Sequence, residues 1–107
     1  IIGRWELQQF AKLLQKLKSS PEGDGTLLDN CALFLSSEIS DGNMHNHDNL
    51  PVLLAGRAGG QITPGRHVKY ADSPPLANLF ISLADMFGVP LATFGDDGTG
   101  PLPGLAV

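Results

Sequence analysis

A chain of 107 residues with 42% hydrophobic content is one domain or a piece of one, with apolar side chains gathered into segments that can pack. Its net charge of −4, and the scatter of Arg4, Lys12, Lys16, Lys18, Arg57, Arg66 and Lys69, argue against nucleic-acid binding, which needs clustered cations. The lone Cys31 excludes an internal disulfide and a cysteine-pair metal site, and the chain contains no signal peptide and no transmembrane run.

The chain opens at Ile1 without a methionine, and a helical pattern is under way within a few residues. A preceding portion of the same protein is therefore expected. Leu7, Phe10, Leu14 and Leu17 recur at helical spacing between polar positions, which predicts an amphipathic helix near residues 4–18 with one buried face and Trp5 packed. Pro21 to Gly25 reads as a turn-rich connector. The unbroken run Cys31-Ala32-Leu33-Phe34-Leu35 suits a strand near 30–36 covered on both faces. A second strand is expected near 51–55, where Pro51 is acceptable as a first residue and Gly56 a stop.

Residues 56–65 read as loop, and His67-Val68-Lys69-Tyr70 as a short edge strand. A second helix is expected near 75–87, capped by Asp72 or Ser73, with Leu76, Leu79, Phe80, Leu83 and Phe87 on its inner face. Gly88 ends it, and the segment from Gly95 to Gly104 is too rich in Gly, Pro and Asp for regular structure.

The chemistry concentrates between the two strands. Parallel neighbours need a crossover of a dozen or more residues, usually helical, and the connecting segment here has no helical period. Neighbouring strands are therefore expected to be antiparallel, with Glu38, Asp41, His45, His47 and Asp48 together at one edge. Carboxylates and imidazoles so gathered suit a divalent metal such as zinc or manganese. In an extended segment, the one-residue spacing of His45 and His47 puts both rings on the same side. A solvated polar loop is the plainer reading of the same residues. Ser36 and Ser37 lack an identifiable base, Arg57 and Arg66 read as solvated or anion-holding arginines, and Asp96-Asp97-Gly98 lacks the further acids of a calcium loop.

The segments Leu28 to Glu38, Asp41 to Pro51, Leu54 to Gly60, Gly65-Arg66-His67, Leu76 to Leu79 and Phe94-Gly95-Asp96, in that order, resemble the C-terminal end of the HXXSHH-motif family of exported bacterial proteins of unknown function. The naming motif itself is absent and would lie upstream. That family is in turn distantly similar to the alkaline-phosphatase-like superfamily, where a strand ends in an Asp-His metal pair and a later His precedes an antiparallel strand.

The resemblance implies the C-terminal part of a three-layer α/β/α domain with a mixed sheet, spanning residues 1–107, in an exported or periplasmic protein. It places Glu38 and His47 at metal-ligand positions; with His45 added from the loop, Asp41 or Asp48 would stand behind these ligands, Arg66 would be an anion contact, and a small phosphate or sulfate ester would be the substrate. Ile39 departs from this pattern, because it stands where the paired His would be. A non-catalytic structural or interaction protein of the cell envelope is the alternative.

Overall fold

A computed structural model describes residues 2–106. Helix α1, Ile2–Lys18, follows the apolar period. Its inner face is only partly realised: Phe10, Leu14 and Leu17 are half-buried, whereas Leu7 is exposed. Trp5 does not pack; it is 61% exposed. The hydroxyls of Ser19 and Ser20 both donate to the Lys16 carbonyl, at 3.1 and 2.8 Å, and so share one acceptor near the helix end.

The expected connector holds a miniature antiparallel hairpin, β1 (Pro21–Glu22) with β2 (Gly25–Thr26). It leads into α2, Leu27–Asn30, a single turn with no counterpart in the sequence reading. The turn is held by Asp29, whose carboxylate accepts both the Thr26 N–H (2.9 Å) and the Thr26 hydroxyl (2.8 Å). This is the carboxylate half of a capping box.

Strands β3 (Ala32–Ser36) and β4 (Val52–Gly56) form the second sheet. They pair antiparallel from Ala32↔Gly56 to Ser36↔Val52, so both strand ends that flank the polar segment lie at one edge, as expected. At the other end Gly56 has φ +96°, and the Leu28 and Cys31 carbonyls accept the N–H groups of Arg57 and Ala58 at 3.3 and 2.9 Å. The two strands are not covered on both faces. Leu53 on one face, and Phe34 and Val52 on the face that carries Ala32 and Leu54, are all exposed, and each strand has one neighbour, so both are edge strands.

Residues 67–70 form no strand. Helix α3 runs Ala77–Met86 and begins later than expected, with Ser73 in the left-handed region (φ +45°) and Pro74-Pro75 ahead of the first turn. Its end is a Schellman motif: Gly88 donates to Asp85 O (2.9 Å) and Val89 to Ala84 O (2.9 Å), with Gly88 at φ +77°. The buried positions are Leu79, Ile81, Ser82 and Met86, whereas Phe87 is exposed.

The face differs from the expected one because the irregular tail packs on α3. Ser82, only 5% exposed, accepts the Leu102 N–H at 2.8 Å and donates to Asn78 O at 3.1 Å. Asn78 accepts the Thr99 N–H at 3.0 Å, and Gln61 donates to Met86 O at 2.7 Å. Leu79 and Met86 thereby join Ala58, Ile62 and Leu105 in the core. The Phe80 ring links sheet to tail, 5.3 Å from Phe34 edge-on and 5.5 Å from Phe94.

Among the described residues the architecture is thus mixed α/β, with three helices and two small antiparallel sheets. It exposes more surface than its mass requires. A folded monomer of 11.3 kDa exposes about 5,700 Å², and this chain exposes 7761 Å². Its radius of gyration is 15.0 Å, against about 13 Å for a compact domain of this length.

Candidate functional site

The hairpin loop between β3 and β4 carries five of the six candidate residues, and short hydrogen bonds determine its course. The Ser40 N–H and hydroxyl both donate to Asn46 O, at 2.8 and 2.9 Å, and Asn46 N–H returns to Asp41 O at 3.2 Å. Inside that closure the Asp41 carboxylate accepts the N–H groups of Asn43 (2.9 Å) and Met44 (3.1 Å). Asp41 therefore builds the turn, as Asp commonly does by bonding its own backbone. Asn46 does the same one step later, accepting the Asp48 N–H at 2.6 Å.

His45 sits at the turn with φ +51°. The segment is therefore not extended there, and the alternation that would align the rings of His45 and His47 does not apply. All of Glu38, Asp41, His45, His47 and Asp48 are exposed.

Glu38 and His47 do meet across the loop, though through the backbone. His47 Nδ1 lies 2.8 Å from the Glu38 carbonyl oxygen. A carbonyl only accepts, so this contact requires a proton on Nδ1, and in the neutral imidazole the free lone pair is then on Nε2. Metal-bound histidines are oriented in this way, with the second nitrogen donating to a carbonyl or carboxylate. The fit to a metal is nevertheless incomplete: among the described residues no three His, Cys, Asp or Glu side chains form a metal-binding group.

Glu38 borders a recess of about 310 Å³ with Phe34, Ser36, Ser37, Leu50 and Leu76. Leu50 and Leu76 were not legible as site residues, since nothing in the sequence links the start of α3 to the hairpin mouth. The two serine hydroxyls are engaged with backbone. Ser36 donates to Pro51 O (2.9 Å) and Ser37 to Ile39 O (2.8 Å), so neither is paired with a base.

Arg66 lies elsewhere and serves the tail. Its guanidinium donates to Thr63 O (3.0 Å), Gly104 O (2.7 Å) and Leu105 O. In this arrangement it ties the tail to the loop that precedes it.

Comparison of the chain with known protein families, with curated proteins and with solved structures finds no match.

Proposed function

We propose that this chain is a portion of an exported protein of alkaline-phosphatase-like fold, related to the HXXSHH-motif family, in which the β3–β4 loop contributes to a divalent-metal site. The observation that carries the reading is the 2.8 Å contact of His47 Nδ1 with the Glu38 carbonyl, which presets Nε2 as a ligand atom. His47 is the principal ligand of this chain, with Glu38 and His45 beside it and Asp41 shaping the loop. The remaining ligands come from other polypeptide, for which the excess exposed surface leaves room. The activity proposed for the whole protein is hydrolysis of a small phosphate or sulfate ester; zinc or manganese would there polarise the ester oxygen. No helix of the described residues is long and apolar enough to cross a membrane.

A second reading is a structural or interaction protein of the cell envelope. It is favoured by the engagement of Ser36, Ser37, Asp41 and Arg66 with the chain's own backbone, and by Ile39. Assay of the full-length protein with p-nitrophenyl phosphate and p-nitrophenyl sulfate separates the two. Metal-dependent turnover that His47→Ala removes supports the hydrolase. Absence of turnover with either ester, with zinc or manganese supplied, leaves the structural role.

A further inference from the structure

A second recess, of about 360 Å³, lies at the opposite end of the β3–β4 pair, where Gly56 faces Ala32. Leu28, Gly56 and Pro64 give it apolar walls, and Lys18, Asp29 and Arg57 bring charge to it. Its backbone is pinned. Gly56 approaches the chain so closely that an added Cβ would lie 2.1 Å from Cys31 O. The next residue, Arg57, donates its N–H to Leu28 O at 3.3 Å, and Lys18 closes α1.

The charges of the recess are unequally committed. Asp29 is occupied by the hydroxyl and N–H of Thr26, which hold its carboxyl below the usual range; the charges of Arg57 and Lys18 push it the same way. Both cations therefore act on the same region. Among the described residues, neither side chain donates a hydrogen bond. Two cations against one committed carboxylate leave a net charge of about +1 beside an apolar surface.

We propose that this recess binds a small carboxylate carried on an apolar group, with Arg57 and Lys18 on the carboxylate and Leu28 and Pro64 against the apolar part. A guanidinium matches a carboxylate as a two-pronged donor, and the ammonium adds a point charge. A monoanion balances the recess, whereas a dianion such as phosphate meets Asp29 with its second charge. The site uses no residue of the β3–β4 loop and stands whether or not that loop binds metal.

The test is an amide-resonance titration of the full chain with hexanoate, hexanol and inorganic phosphate. Hexanoate is expected to shift Leu28, Gly56 and Arg57 saturably, and the other two probes to do so far more weakly. Arg57→Gln and Lys18→Gln, both at exposed side chains, are each expected to weaken hexanoate binding about tenfold. No saturable shift with hexanoate, equal binding of hexanol or phosphate, or unchanged affinity in Arg57→Gln with its spectrum otherwise preserved would each overturn the proposal.

Discussion

Gly56→Ala is expected to be among the most damaging single-methyl changes in this chain. The residue has φ +96°, where a side chain is strained whatever the space around it. The new Cβ would also stand 2.1 Å from Cys31 O and 3.1 Å from Leu28 O, both backbone atoms. Relief requires the Cys31 carbonyl to retreat by about 1 Å from a contact that ordinarily needs 3.0 Å. That carbonyl accepts the Ala58 N–H at 2.9 Å, and its neighbour Ala32 pairs with Gly56 itself. Strain of about 1–3 kcal/mol and the loss of one hydrogen bond worth about 1 kcal/mol together give about 3 kcal/mol. Gly42→Ala is the control, because nothing lies within 4 Å of its Cβ and its φ is not in the left-handed region. Urea unfolding of both variants, followed by circular dichroism, measures the difference. Complete loss of folding in Gly56→Ala alone agrees with the reasoning. A Gly56→Ala variant within about 0.5 kcal/mol of Gly42→Ala refutes it.

Three further outcomes are expected. Arg66→Ala should release the tail at Gly104 and Leu105, costing about 1–2 kcal/mol after allowance for exposure and speeding amide exchange of that segment; unchanged exchange would show that the clamp is dispensable. Ser82→Ala should orphan the Leu102 N–H at a buried site, costing about 1–3 kcal/mol in a urea titration. Asp29 has its carboxyl held below its ordinary value of 3.8, chiefly by the Thr26 hydroxyl. Its contribution is therefore present above pH 3.8 and lost as the pH falls through the lower folded value, so the stability gap between the wild type and Asp29→Asn should narrow only in that acid range. A gap that narrows on moving from acid to neutral pH would reverse the sign of that linkage.

Local patterns proved legible, and contacts between distant segments did not. The spacing of Leu7, Phe10, Leu14 and Leu17 located α1, and the run Cys31 to Leu35 with a partner expected at 51–55 located an antiparallel pair, although the second strand runs one residue later and includes Gly56, which was expected to stop it. Gly88 marked the end of α3 because the Schellman turn needs a left-handed residue. The inner face of α3 was misjudged because the tail that covers Ser82 is irregular and carries no period. Trp5 was expected to pack, but packing depends on a partner that no helical pattern supplies. At the loop, topology brought Glu38 and His47 together, while the left-handed turn at His45 could not be read from an H-x-H spacing alone.

The claim that the β3–β4 loop is a ligand-bearing edge is tested most directly by metal analysis of the full-length protein, with zinc and manganese titrations of the wild type, His47→Ala and His67→Ala. The wild type is expected to hold a divalent metal at neutral pH. His47→Ala should lose affinity about tenfold or more, as removal of a ligand does, while His67→Ala stays close to the wild type. Full-length protein that takes up neither zinc nor manganese, or His47→Ala that binds as tightly as the wild type, would contradict the claim.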